Sequence, residues 1–328
     1  MSSSIKRNGQ HPFQYIVVLF VAITLNFALP RLMPGSPLVL LAGVDVGLLT
    51  EEERDEVRAR VGLDLPLHQQ YINYLGDILQ GDFGYSYRQK QPIVDMLLAR
   101  LPYTLLLTMS SLVLSAIIGI IAGAIAAWWR AKLPDIVLFN SMIILDSLPS
   151  FWVGMLFISL LSVQAGLFPS QGALTPATDF SGLDYLLDIL HHAALPILTL
   201  TLLSMPRVFL TMRNAMCGVL GAQFVRTARA KGIKESRILL RHMIRNALLP
   251  VVTVLALRFG FAFGGTVVIE TVFSYPGLGR LIFEAVSGRD YPVMQATFLL
   301  FTIMVLVSNL LVDWLYPQLD PRVRSEHV

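Results

Sequence analysis

Cysteine is all but missing from these 328 residues, and Cys217 stands alone. A single thiol excludes an internal disulfide and offers no thiolate metal site, so a small buried side chain is its expected role. Charge is scarce as well, at 14% of residues, far below the usage of a soluble domain. The chain has no G-x-x-x-x-G-K-[ST] and therefore no P-loop to cradle nucleotide phosphates. It also lacks H-E-x-x-H, G-x-S-x-G and C-x-x-C, which removes the usual protease, hydrolase and dithiol readings. No internal repeat or low-complexity segment is present. His191 and His192 are adjacent, so on a helix they point about 100° apart and make a poor metal pair. Interfacial histidines at the mouth of a span are the expectation.

What remains is apolar. Hydrophobic residues make up 55% of the chain and mean hydropathy is +0.64, values of an integral membrane protein. The net charge of +3 could suggest nucleic acid, but the basic residues cluster beside apolar runs, as retention of Lys and Arg on the cytoplasmic side produces. Crossing the hydrocarbon core takes roughly 20 apolar residues. Six stretches qualify, near 13–33, 102–129, 134–162, 192–212, 250–272 and 294–317, with Pro102, Pro134, Pro250 and Pro317 marking expected helix ends. The first, after Lys6 and Arg7, is too long for a signal-peptide core and lacks a small-residue cleavage site, so it is expected to stay as a span. The fourth contains Pro196 and Pro206. The composition thus predicts an all-α membrane protein with six transmembrane helices.

Short loops set the orientation. Arg130 and Lys132 lie between the second and third stretches, and eight basic residues fall from Arg213 to Arg245 between the fourth and fifth. The loop between the third and fourth has only Asp179, Asp184 and Asp188. Both termini and the 213–249 loop are therefore expected in the cytoplasm, and the long 34–100 loop outside. That loop carries helix signals of its own. Thr50 and Glu53 form a capping box, Glu51 and Glu52 favour the positive end of the dipole, and Gly62 stops the helix. A second helix is predicted from Pro66 to about Leu79, followed by a turn with an aromatic anchor over Gly81 to Tyr87. This is a helical extracytoplasmic cap, and either a simple covering of the spans or a docking surface for an external partner fits it.

Charges within spans are informative, because a charge at the bilayer centre costs about 2.5–3.5 kcal/mol on insertion scales. Asp146 and Arg258 fall well inside the third and fifth stretches, at similar depths from their cytoplasmic ends. Two readings stand: a mutual ion pair, or a hydrated substrate path in which Arg258 attracts a carboxylate. Glu270, Arg280, Glu284, Arg289 and Asp290 flank the fifth and sixth stretches outside, where an exposed charged rim is expected. Gly119 and Gly123, and Gly260, Gly264 and Gly265, have spacings that let helices approach closely.

The basic stretch from Ala222 to Pro250 organises the rest. Lys234, Arg237, Arg241 and Arg245 recur at helical steps on one face, with Ile233, Leu240, Ile244 and Leu248 on others. Gly232 interrupts the pattern and reads as a bend between two helices, because glycine takes left-handed angles without steric penalty.

With RTARAKG at Arg226 to Gly232, these residues resemble the cytoplasmic loop of the transmembrane subunits of ATP-binding cassette (ABC) importers, whose motif is E-A-A, three residues, Gly. Arg226, Thr227 and Ala228 occupy the E-A-A positions, with Arg226 in place of the acidic residue, and Gly232 matches. LLRHMIRNALLP from Leu239 is similar to the dipeptide and oligopeptide branch. So, in order, are MPGSP at Met33, GLDLPLHQQY, GDFGYS, RLPYTLLL from Arg100, SLPSFWVG from Ser147, LFPSQG from Leu167, ETVFSYPGLGRL from Glu270 and LDPR from Leu319.

The resemblance implies a type I ABC importer permease fold: a first helix over 1–33, a cap loop over 34–100, a transmembrane domain over 101–317 with a coupling loop at 213–249, and a cytoplasmic tail at 318–328. It implies a multi-pass subunit of a bacterial or archaeal plasma (inner) membrane. The partners implied are a second permease, two ABC ATPase subunits, an extracytoplasmic solute-binding protein and membrane lipid. No cofactor is expected on this chain, since ATP would be hydrolysed by the partner subunits. Phe224, Arg226, Thr227, Ala228, Gly232 and Ile233 would form the ATPase-coupling loop, with Arg258 and Asp146 the candidates for the path. Short peptides are the expected cargo, and nickel complexes, opines and oligosaccharides are carried in the same family. A secondary transporter would need intramembrane ion carriers and often an inverted repeat, and a membrane enzyme would need a catalytic constellation.

Overall fold

A computed structural model describes residues 11–32, 50–60, 63–86, 88–178, 180–261 and 266–319. Gly62, Tyr87, Asp179, Gly264, Gly265, the MPGSP run at 33–37 and Asp320 to Arg322 of the LDPR run lie outside the described residues. The elements, in chain order, are α1 (His11–Leu32), α2 (Glu51–Arg60), α3 (Leu67–Gln80), β1 (Tyr85–Ser86), β2 (Gln91–Pro92), α4 (Ile93–Trp128), α5 (Leu133–Ser147) and α6 (Ser150–Phe157). After α6 a π-helical turn covers Ile158–Gln164. There follow α7 (Leu183–Leu220), α8 (Gln223–Ala230), α9 (Glu235–Arg237), a second π-helical turn over Ile238–Ile244, α10 (Arg245–Phe261), α11 (Thr266–Val272), α12 (Leu278–Gly288) and α13 (Tyr291–Leu319).

Among the described residues, four helical stretches are long and apolar enough to cross a membrane, namely Ile93–Trp128, Leu183–Leu220, Glu235–Phe259 and Tyr291–Asp313. The α5 and α6 pair makes a fifth if its two arms count as one, and α1 adds a shorter apolar run over Phe13–Ala28. Helix ends differ from expectation at the prolines. Pro102 and Pro250 lie inside helices rather than at their ends, and α13 runs through Pro317; Pro196 and Pro206 lie inside α7, as they do inside the fourth stretch. Helices in apolar surroundings tolerate this where neighbouring groups satisfy the freed carbonyls. Pro134 does open α5 as expected. The third stretch is not one straight span: α5 and α6 meet at 102°. Pro149 follows Leu148, which is pushed to extended angles of φ −81° and ψ 134°, and this ends α5.

The chain divides into two compact units. The first comprises residues 1–102 and 277–306. In it the capping box forms as expected: the Thr50 N–H donates to Glu53 Oε2 at 2.8 Å, and the Glu53 N–H returns to Thr50 Oγ1 at 3.3 Å. The Thr50 N–H, together with the Thr50 hydroxyl donating to the same oxygen at 3.0 Å, holds the Glu53 carboxyl below its ordinary range. Pro66 precedes α3, and Gly81 at φ 77° ends it with backbone bonds to Asp77 and Ile78. The aromatic turn then folds into a two-residue hairpin, Tyr85 opposite Pro92 and Ser86 opposite Gln91. Ile93, Met96 and Leu97 of α4 pack with Leu278 and Leu281 of α12 and with Val293 and Ala296 of α13.

Asp290 in this unit corrects the expected exposed rim. It is 1% exposed, accepts the Ser86 hydroxyl at 2.5 Å, and burial pushes its carboxyl up. Arg280 and Glu284 are half-buried and pair at 2.8 Å, with Arg100 3.3 Å from the same carboxylate.

The second unit comprises residues 103–276 and 307–328. Within it α4 closely approaches α7 at two small residues. A Cβ on Gly119 would stand 2.8 Å from Val208 Cβ, and one on Gly123 would stand 2.7 Å from the Phe209 carbonyl oxygen. The small-residue spacing in α4 therefore serves packing against α7. Glu270 belongs to this unit and is also no rim residue. It is fully buried and accepts the Thr104 hydroxyl at 2.8 Å.

Candidate functional site

Two features of the second unit coincide with the residues singled out by sequence. The first is the bend. The Gly232 backbone has φ +71°. Its N–H bonds the Arg229 carbonyl at 2.9 Å, and the next N–H, of Ile233, bonds the Ala228 carbonyl at 3.2 Å. This double closure is a Schellman motif with glycine at the left-handed position, and Ile233 and Ala228 supply its accompanying apolar contact in one core cluster. Across the bend, Arg229 Nε donates to Glu235 Oε1 at 2.8 Å and Nη2 donates to Oε2 at 3.3 Å. This hydrogen-bonded carboxylate raises the Arg229 guanidinium further above its ordinary value.

The second arm of the bend departs from the expected period. Its buried positions are Ile238, Met243, Ala247 and Val251. The first step is five residues and the others four, which is the change of face that a π-helical turn leading into an α-helix produces. Lys234, Arg237, Arg241 and Arg245 are all exposed, as expected, and so is Leu240. Ile238, Met243, Ala247 and Val251 join Val225 and Ala228 of α8, Ala124 and Ala127 of α4, and Val208, Met212 and Met216 of α7 in a single core. The half-buried thiol of Cys217 packs on its margin. The bend is therefore seated on the ends of α4 and α7. Among the residues expected to form the coupling loop, Phe224, Arg226, Thr227 and Gly232 present themselves at the surface, whereas Ala228 is buried and Ile233 half-buried.

Nearby, Asp135 and Arg213 fix the start of α5 to α7. Arg213 Nε and Nη2 donate to the two carboxylate oxygens at 2.6 and 2.9 Å. Asp135 also accepts the Ala131 N–H at 2.9 Å, and the guanidinium lies 4.8 Å from the centre of the Phe139 ring. The sequence reading counted Arg213 only as a loop charge, and Asp135 carried no local signal of a partner 78 positions away.

The second feature is a cavity of about 590 Å³ among the long apolar helices, a size that fits small-molecule sites. Thr108 and Ser111 of α4, Ser150 of α6, Ser204 and Arg207 of α7, and Arg258 of α10 line it with apolar neighbours such as Leu200 and Leu257. A larger hollow of about 920 Å³ lies in the first unit around α3 of the cap, lined also by Arg31 of α1 and by Gln295 and Leu299 of α13. Arg258 sits in the wall as the path reading expected, with Nη1 donating to the Ser204 carbonyl at 2.6 Å. The alternative, direct pairing of Arg258 with Asp146, is not what forms. Arg207 stands beside Asp146 instead, with Nε 4.0 Å from Oδ1. Arg207 was missed, although the available signal was the one that found Arg258: a basic residue within an apolar stretch. The histidine rings are taken up locally, His191 Nε2 lying 2.9 Å from the Leu167 carbonyl and His192 Nδ1 2.9 Å from that of Asp188. His192 is buried within the chain. No group of three metal-ligating side chains occurs among the described residues.

Known proteins match on this geometry and on sequence. Residues 119–325 match the family described as binding-protein-dependent transport system inner membrane component, and residues 10–108 match its N-terminal companion. The glutathione transport system permease protein GsiC of Escherichia coli strain K12 is 40% identical over 309 residues, 94% of this chain and 95% of that protein. GsiC of Shigella flexneri serotype 5b is 39% identical over the same share. Among solved structures, an inward-facing MetNI methionine ABC transporter is 19% identical, with a TM-score of 0.56 over 69% of this chain and 96% of that one. An amino acid ABC transporter with histidines gives a TM-score of 0.50 at 15% identity, covering 68% and 94%. The helical architecture is thus shared with ABC importer permeases, and the chain belongs to the binding-protein-dependent inner-membrane permeases of ABC importers, in their dipeptide and oligopeptide (peptide/nickel/opine) branch.

Proposed function

We propose that this chain is one of two nonidentical permease subunits of an importer of short peptides, with α1 completing six spans and with both termini and the 213–249 loop in the cytoplasm. An importer permease works with a partner permease, ATPase subunits and a substrate-binding protein. Here ATP is hydrolysed on two partner ATPases, and an extracytoplasmic binding protein delivers the cargo. The observation that carries the coupling part is the shared core of the bend with α4 and α7. A displacement of that bend by the closing ATPases is passed to those helices as a rigid shift, because close-packed cores transmit strain rather than absorb it. Phe224, Arg226 and Thr227 offer the exposed docking face, and Gly232 sets the angle. The 590 Å³ cavity, with its hydroxyls and guanidiniums, is the solute path on this side of the permease pair. Short peptides are favoured by the 40% identity to a glutathione permease along nearly the whole chain.

The test is to purify the chain with whatever it assembles with, reconstitute the complex in liposomes with the binding protein outside, and follow uptake of an equimolar mixture of glutathione and unmodified di- and tripeptides. ATP-dependent uptake, with a second permease and P-loop ATPases in the purified complex, is the expected result. Uptake of nickel complexes, opines or oligosaccharides to the exclusion of peptides would replace the cargo, and transport by this chain alone without ATP would overturn the mechanism.

A further inference from the structure

We propose that Arg207 and Arg258 form a carboxylate-selective step in the path, in which Arg207 exchanges Asp146 for the carboxylate of the passing solute. The proposal rests on the peptide-import reading and names the chemistry by which that path chooses. Two guanidiniums line one cavity, and the nearby carboxylate of Asp146 neutralises one of them. The surplus is a single positive charge amid apolar helices, where an uncompensated charge is costly and therefore marks a functional site.

The two arginines are held differently. Arg258 is half-buried and anchored, one of its five N–H donors going to the Ser204 carbonyl at 2.6 Å. Arg207 is loose. Its nitrogen is at the 4.0 Å limit of an ion pair, and the side chains are 67% and 45% exposed for Arg207 and Asp146. A pair so open, at the limit of pairing distance, contributes little and is readily exchanged. A solute carboxylate can offer Arg207 a closer, bidentate contact than Asp146 does, while the hydroxyls of Thr108, Ser111 and Ser150 supply further partners on the same cavity wall. Asp146 takes Arg207 back after the solute has left, in a contact too weak to set the rate of release.

The experiment uses the assembled complex, with the same binding protein and the same mixture of glutathione and di- and tripeptides for every variant, so that selection by the binding protein is constant. Arg207→Gln is expected to lower initial uptake about tenfold, as loss of a charge-assisted contact does, while stimulation of ATP hydrolysis by the loaded binding protein persists. Arg207→Lys should recover part of the uptake, since it restores the charge but not the two-pronged contact, and co-purification of the partner subunits with each variant checks that assembly is unchanged. Asp146→Asn should stay within about threefold of the parent, because the loaded path does not use that pair. Equal uptake by Arg207→Gln and the parent would overturn the assignment alone. So would a loss in Asp146→Asn as deep as in Arg207→Gln, which would make the pair structural. Failure of the parent complex to import any peptide of the mixture would overturn the peptide reading and this step with it.

Discussion

Gly232 allows a sharp test of the coupling bend, because its environment separates backbone strain from crowding. A Cβ added there meets nothing within 4 Å, yet the backbone sits at φ +71°. Alanine at this position therefore costs only the left-handed penalty, about 1–2 kcal/mol. Gly221, eleven positions earlier in the same loop, is equally open but has an ordinary φ of −89°. Alanine there should be neutral or add roughly 0.4–1 kcal/mol by restricting the unfolded chain. The two substitutions thus differ by about 2 kcal/mol, roughly thirtyfold in the local opening equilibrium of the bend. Hydrogen exchange of the amides from Ala228 to Ile238 in the reconstituted complex reads this directly, and the ratio of ATP hydrolysed to solute imported reads its consequence. Gly232→Ala should exchange faster and raise that ratio while Gly221→Ala does neither. Gly232→Asp, which also places a carboxylate on the basic face, should leave the chain inserted but uncouple hydrolysis from uptake. If Gly232→Ala and Gly221→Ala are indistinguishable in exchange and in coupling, the Schellman closure does not set the lever and the reasoning fails.

Two further substitutions probe the seat of that lever. Gly123→Ala places a Cβ 2.7 Å from the Phe209 carbonyl oxygen and 3.1 Å from the Arg213 nitrogen, so backbone must move and about 1–3 kcal/mol should be lost. Gly218→Ala, with nothing within 4 Å, is the matched control on α7, and thermal unfolding in detergent should fall for the first only. Asp135→Asn leaves the Arg213 guanidinium, 20% exposed at its side chain, without its anion and should cost about 3 kcal/mol. Removing both charges with Asp135→Asn and Arg213→Gln should recover part of that loss in the same assay, and additive losses would mean the pair is not coupled.

Much of this was written locally and was therefore legible in the sequence. The capping box at Thr50, the stop at Gly81, the bend at Gly232 and the close approach at Gly119 and Gly123 each depend on residue types a few positions apart. What escaped the sequence depends on distant partners or on packing. Glu270 and Asp290 were placed on an exposed rim because they flank the fifth and sixth apolar stretches on the outside, yet their hydroxyl partners are 166 and 204 positions away. Pro102 and Pro250 were taken as helix ends, but in apolar surroundings the carbonyl a proline frees finds other partners and the helix continues. Pro149 had the opposite outcome. Counting apolar length carried the third stretch across it, although the extended conformation that proline imposes on its predecessor was the available sign of the 102° break. The register of the π-helical turn at Ile238–Ile244 was invisible, since a step of five between buried positions has no counterpart in an α-helical template.

Two ion pairs join α5 to α7, and the difference in their closure separates scaffold from path. Asp135 and Arg213 are joined by two short bonds with side chains 4% and 20% exposed. Such a pair offsets the cost of burying its charges only through that geometry, and it has no spare capacity for a solute. Arg207 and Asp146, with side chains 67% and 45% exposed against 20% and 4%, are far more open and barely within pairing distance. If that pair served only to hold α5 and α7 together, the same two helices would have a tight version of it at Asp135 and a loose one at Asp146, the loose one contributing almost nothing to stability. A charge kept within the apolar part of a helix while contributing so little to the scaffold requires another use, and the cavity that Arg207 shares with Arg258 supplies one.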